Sequence, residues 1–238
     1  MSTPWGTHQH GFFSPNDFTP SPHPAKINPN SKSNPTPVIE NPVTPLVPPF
    51  RPANADDANE MAELVNISGD GLPLYIWASF AKAGQTAWDV GRERARLGLG
   101  GFAYPHTVVR DVDGKAAACL IGYPPGDEAK PIGDDTPAPL APLIELGNLV
   151  PDAWYLNVLA TFPEHRGKGY AAELLRIAES RARDCGCRRM ALIMSDANDA
   201  ARRLYERQGF RVHATRPIVK NGWKHDGRNW VLMVRELT

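Results

Sequence analysis

Arg166-Gly167-Lys168-Gly169-Tyr170-Ala171 constrains this chain more than any other stretch. It follows a strand-like run, Trp154 to Thr161, and opens a helical one, Ala171 to Cys185. A helix N-terminus carries about half a positive charge and unpaired backbone N–H groups. Two glycines there let a ligand approach the backbone, because no Cβ stands in the way. Arg166 and Lys168 add two full positive charges. Together these residues describe a seat for a phosphate or pyrophosphate.

Three nucleotide patterns can be tested on these letters. A P-loop needs Ser or Thr after Gly-Lys, and Gly169 stands there. Gly167 to Ala172 does fit the dinucleotide fingerprint G-x-G-x-x-A, with Asp196 past the next strand. However, Phe162 to Arg166 separates the strand from the first glycine, and too little chain follows Asp196 for the rest of a doubly wound sheet. The third pattern, Arg/Gln-x-x-Gly-x-Gly/Ala, is met by Arg166, Gly169 and Ala171. It resembles the coenzyme A pyrophosphate loop of the GNAT superfamily of N-acetyltransferases. A second match follows a strand later. Asn198, Ala201, Leu204, Tyr205, Gly209 and Phe210 fit N-x-x-A-x-x-L-Y-x-x-x-G-F, the pattern of that family's next helix. The resemblance is densest over 154–210 and weaker from about Phe50 to the C-terminus.

The resemblance implies an α/β fold: a central twisted mixed sheet with helices on both faces. It implies acetyl-CoA as co-substrate and a primary amine as acceptor, on a small molecule or a peptide. Arg166, Gly167, Lys168, Gly169, Tyr170 and Ala171 then seat the pyrophosphate. Leu159, Ala160 and Thr161 offer strand backbone to the pantetheine arm, and Asn198 joins the coenzyme-binding set. Threonine at 161 replaces the family's usual valine; both are β-branched. Tyr205 becomes the general acid that protonates the leaving sulfur, a fit between a phenol near pKa 10 and a thiol near 8.5. A backbone N–H of the central strand polarises the thioester carbonyl. The general base is not legible. Glu145, just before the central strand, is the residue we name, with Tyr155 or a chain of waters as rivals. His165 reads as a loop residue. Asp70, Tyr75 and Trp77 either line the acceptor's site or, for the aromatics, pack on the sheet. A non-catalytic acyl-CoA-binding or regulatory module is the competing reading of the same motifs.

Composition narrows the remainder. The chain has 238 residues with 26 basic and 26 acidic side chains, so no net field favours nucleic acid or an anionic membrane. Cys119, Cys185 and Cys187 are too few for a disulfide framework, and Cys185-Gly186-Cys187 lacks metal-binding spacing; no metal is expected. No apolar run is long enough to cross a membrane and no secretory leader is indicated, so the expected location is cytoplasmic. Half of the 24 prolines precede Phe50. Residues 1–46 therefore read as a proline-rich, disordered tail and 47–238 as the N-acetyltransferase domain.

Local signals divide that domain. A short strand at Phe50 to Ala53 leads to a helix begun by Asp56-Asp57, and Gly69 to Pro73 breaks it. Helical runs follow at Leu74 to Ala83 and Ala87 to Leu97. Thr107 to Val112 and Ala116 to Tyr123 read as strands joined at Asp113-Gly114. An insertion over 123–150 holds six prolines and the acids Asp127, Glu128, Asp134 and Asp135, with a short helix expected over Leu140 to Leu149. We expect it to cover the acceptor's site. After the last helix, Phe210 to Val219 and Trp230 to Leu237 read as a closing hairpin.

Overall fold

The computed structural model describes residues 45–98, 106–124, 126, 129–134 and 136–237. The proline-rich segment 1–44 and the acids Asp127, Glu128 and Asp135 lie outside the described residues. In chain order the elements are β1 (Phe50–Pro52), α1 (Ala58–Ser68), α2 (Leu72–Phe80), α3 (Ala87–Leu97), β2 (Thr107–Val112), β3 (Lys115–Tyr123), α4 (Ala141–Gly147), β4 (Trp154–Thr161), α5 (Tyr170–Asp184), β5 (Arg189–Ser195), α6 (Asp199–Arg207), β6 (Arg211–Pro217) and β7 (Asn229–Glu236). The strands form one sheet in the order β1-β2-β3-β4-β5-β7-β6. Only β4 and β5 pair in parallel; the other neighbours are antiparallel.

The two sheet faces are covered by different helices, which gives the expected mixed α/β architecture. On one face α1, α2 and α4 bury Met61, Leu64, Ile76, Leu143 and Leu146, and α3 adds Val90 and Ala95. On the other, α5 and α6 bury Leu174, Leu175, Ala178 and Tyr205 against Trp154, Leu156 and Met233. Spacing of three and four in α5 puts its apolar residues on one side, as the periodicity predicts. Glu179 on the wet side pairs with Arg183 and Arg235, at 2.8 and 2.9 Å.

Turn chemistry sets most boundaries. Asp113 and Gly114 both have positive φ, 53° and 81°, as a tight hairpin between twisted strands requires. Thr86 and Asp89 form a reciprocal cap on α3. Both ends of α2 differ from expectation. Pro73 reads as a breaker, yet α2 starts at Leu72, because proline lacks only an N–H that the first helical turn does not use. At the other end α2 stops at Phe80, and Ala81 is extended. Trp77 is 1% exposed and packs on α3, where its ring covers Gly91 and meets Trp88 edge-on at 6.3 Å. It is a core residue.

The second half of the 123–150 insertion is also core. Leu140, Leu143, Leu146 and Val150 are buried on the sheet. Asn148 clasps the Lys130 backbone from both sides, donating to its carbonyl and accepting from its amide at 2.9 Å each. No helix among the described residues is long and apolar enough to cross a membrane.

Candidate active site

Two irregularities in β4 create an opening in the sheet. The first is a bulge. Ile121 faces Val158 but Gly122 faces Leu156, so Asn157 is an extra residue on β4. Gly122 is required here, since a Cβ would run into the Trp154 indole. The Asn157 amide donates to the Tyr123 hydroxyl at 2.8 Å. The second is a split. β4 and β5 pair only over Trp154–Met190, Tyr155–Ala191 and Leu156–Leu192. Beyond Leu156 the strands diverge, and among the described residues the β5-side backbone groups of Leu159 to Thr161 have no partner strand. An unpaired strand edge is a template for an extended, amide-bearing ligand.

The loop at the end of this edge has the geometry of an anion seat. Gly167 and Gly169 have φ of 75° and 86°, and a Cβ at either would meet open space. Gly169 stands as the N-cap of α5 and its carbonyl receives the amides of Ala172 and Glu173. Among the described residues, the amides of Gly167, Lys168 and Gly169 donate to no backbone carbonyl. Arg166 is exposed and its Nε donates to the Thr161 carbonyl at 3.3 Å, tying the loop to the end of β4. Lys168 lies 3.3 Å from His165, which stacks on Tyr170. Tyr170 in turn carries the Arg110 guanidinium at 4.3 Å over its ring. Ala171 is half-buried in the first turn of α5. A pyrophosphate on the loop and a pantetheine arm along β4 fit these parts.

Two tyrosines stand at the base of the split. Tyr205, on α6, is buried and meets Phe210 edge-on at 5.8 Å. Tyr155, on β4, has a backbone hydrogen bond from Ile193, the first β5 residue beyond the last pair. Burial pushes both phenols above their ordinary value, and for Tyr155 the neighbouring Tyr123 and Tyr205 push in the same direction. A phenol raised in this way keeps its proton at neutral pH. Asn198 caps α6, spending its Oδ1 on the Ala201 amide at 3.0 Å. Glu145 lies elsewhere: it is exposed on α4 and its carboxylate accepts from Arg216 of β6 at 2.8 Å. Burial also raises the thiols, Cys119 to about 12 and Cys187 to about 11, which argues against a thiolate nucleophile.

A model of the acetyltransferase (GNAT) family matches residues 75–210, more than half of the chain. The chain belongs to the GNAT acetyltransferase family. The match takes in the bulge, the split, the glycine loop and α6. Among curated relatives, uncharacterized N-acetyltransferases of Mycobacterium bovis and Mycobacterium tuberculosis are 35% identical over 82 residues. That stretch is 34% of this chain and 51% of each relative, so the chain spans about half the length of the curated relatives it matches. A solved acetyltransferase covers 79% of this chain and 99% of its own at TM-score 0.55 and 21% identity. An N-acetyltransferase from Staphylococcus aureus covers 78% and 98% at TM-score 0.54 and 20% identity. At such identities the likeness is one of fold.

With the GNAT fold in place, the two sequence motifs fall on the two arms of the split: the loop of Arg166 to Ala171 follows β4, and Asn198 and Tyr205 follow β5. Sequence reasoning missed a second cluster on the β5 arm. Ser195, at the end of β5, lies 2.7 Å from His225 of the β6–β7 loop. His225 stacks on Trp223 at 4.5 Å, and Trp223 on Trp230 at 5.9 Å. The available signal was weak: one Trp-Lys-His triplet in a polar loop, with nothing in the spacing to aim it at β5.

Proposed function

We propose that the protein transfers an acetyl group from acetyl-CoA to a primary amine by direct attack, with Tyr205 as general acid. The observation that carries this reading is the split between β4 and β5 with the open glycine loop at its end. Bound acetyl-CoA supplies the activated thioester. Leu159, Ala160 and Thr161 hold the arm by backbone hydrogen bonds, and Arg166, Lys168 and the loop amides hold the pyrophosphate. The β4 backbone polarises the carbonyl. Tyr205 keeps its proton and delivers it to the departing sulfur. Residue types support Asn198 as a further coenzyme contact through its amide Nδ2, since Oδ1 is occupied. Glu145, the base named from the sequence, would have to leave its ion pair with Arg216 before it could take a proton.

Thiol release from acetyl-CoA in the presence of spermidine, L-lysine and triglycine tests the reaction. A protein that binds acetyl-CoA and turns over with none of a wide amine panel is a binding module instead. The seat itself has a separate test. Gly169→Val places a branched side chain in the space beside the loop amides and in a backbone region that branched residues avoid. Its affinity for CoA should fall at least tenfold, about 1.4 kcal/mol. Calorimetry that finds a folded variant with wild-type affinity removes the pyrophosphate assignment.

A further inference from the structure

Three segments far apart in sequence meet on the β5 arm of the split. Ser195 ends β5, three residues past Leu192, its last residue paired to β4. The β6–β7 loop brings Trp223 and His225 over it, and the α1–α2 loop brings Asp70 and Gly71. The Tyr75 hydroxyl donates to the Asn221 carbonyl and locks α2 to that loop. Trp230, the cross-strand neighbour of Ser195, stacks below.

Hydrogen-bond bookkeeping singles out one ring in this cluster. Ser195 Oγ accepts from the Ala197 amide at 3.2 Å and lies 2.7 Å from His225 Nε2. When Nε2–H donates to Ser195 Oγ, the Nδ1 lone pair is left over, and Nδ1 has no hydrogen-bond partner among the described residues. The ring is half-buried against two indoles, so its orientation is held. Asp70 and Asp196 both face it electrostatically, and Lys220 grips its backbone carbonyl. Asp70 adopts a left-handed backbone, φ 50°, and its carboxyl is half-buried. Close by, the buried Trp230 Nε1 has no hydrogen-bond partner among the described residues.

We propose that His225 is the general base of this acetyltransferase, taking a proton from the acceptor's ammonium at Nδ1 while Ser195 fixes the ring. The assignment rests on the acetyl-transfer reading above. An N–H bond of the ammonium breaks and an Nδ1–H bond forms. The neutral amine's lone pair then attacks the thioester carbon, and the C–S electron pair leaves with sulfur, which takes the Tyr205 proton. The nitrogen, now bonded to the acyl carbon, gives its second proton to the Tyr205 phenolate, restoring the phenol. The His225 imidazolium, next to the Asp70 and Asp196 carboxylates, releases its proton to solvent. An acetylated amine, free thiol and one proton result, so atoms and charge balance.

The test is His225→Gln, which keeps a hydrogen-bonding group and removes the basic nitrogen. Against spermidine, L-lysine or triglycine, whichever the wild type acetylates, kcat/KM at pH 7 should fall roughly 100-fold. The acid limb of the wild-type pH profile should disappear from the variant. Methoxyamine is uncharged at pH 7 and needs no base, so its rate should change by less than about threefold, within uniform small perturbation. An equal loss with both kinds of amine, an unchanged rate, or a retained acid limb overturns the assignment. So does lost acetyl-CoA binding by calorimetry, which makes His225 structural. Wild-type protein that binds acetyl-CoA but acetylates none of these amines overturns the acetyl-transfer reading itself, and the base with it.

Discussion

Tyr205→Phe is expected to lower kcat roughly 100-fold, about 2.7 kcal/mol, with CoA affinity nearly unchanged. The substitution removes one hydroxyl from a ring that packs on Phe210, so the apolar contacts of α6 survive. Burial holds the phenol above its ordinary value, so wild-type Tyr205 is protonated at neutral and mildly alkaline pH and has a proton to give. The predicted loss is in the chemical step: kcat and kcat/KM should fall together, the signature of an interaction made only in the transition state. Thiol-release kinetics at saturating acetyl-CoA measure this. Wild-type turnover in the variant would make Tyr205 a core aromatic and nothing more.

Arg51→Ala should cost about 3 kcal/mol of folding stability, because it strands a buried carboxylate. Arg51 Nη1 and Nη2 each donate to Asp57 at 2.8 Å, and Nε donates to Asp111 at 2.7 Å. The Asp57 side chain is only 5% exposed and also receives the Asn54 amide at 2.9 Å. One guanidinium thus ties β1, the turn before α1 and the end of β2. Arg51→Lys should recover little, since an ammonium cannot make the forked contact. A pH dependence accompanies this. The Arg51 hydrogen bond holds the Asp111 carboxyl below its ordinary value, against an opposing burial effect. A carboxylate held low stabilises the fold above the unfolded range, about 4, and loses that contribution as pH falls through the lower folded value. The gap between wild type and Arg51→Ala should therefore narrow in acid. Urea denaturation at pH 7 and pH 3 reads both effects, and a loss below about 1 kcal/mol at pH 7 would show that the network carries little.

Where one residue type dominates the local physics, the sequence alone was enough. The glycine loop is legible because positive φ, open space and a helix N-terminus are local properties, and Gly167 and Gly169 have all three. The Asp113-Gly114 hairpin is legible for the same reason. So is α5, whose apolar residues recur on one face. The misread start of α2 also has a local cause: Pro73 looks like a stop, and the first turn of a helix tolerates it.

Tertiary structure decided what depends on pairing. The split between β4 and β5 leaves no mark on either strand's own residues; it exists because two strands part after Leu156 and Leu192. The bulge at Asn157 depends on Trp154 needing the space over Gly122, a contact between strands. Glu145 looked free in the sequence, yet α4 lies along β6 and presents it to Arg216. Asp70, Ser195 and His225 are scattered from 70 to 225, and no periodicity relates them. The sequence by itself determined the family, the strands that carry their own patterns, and the glycine loop that opens α5. Only the fold determined which ionisable groups face the opening, because that is set by long-range register, where a shift of one residue turns a side chain to the other face.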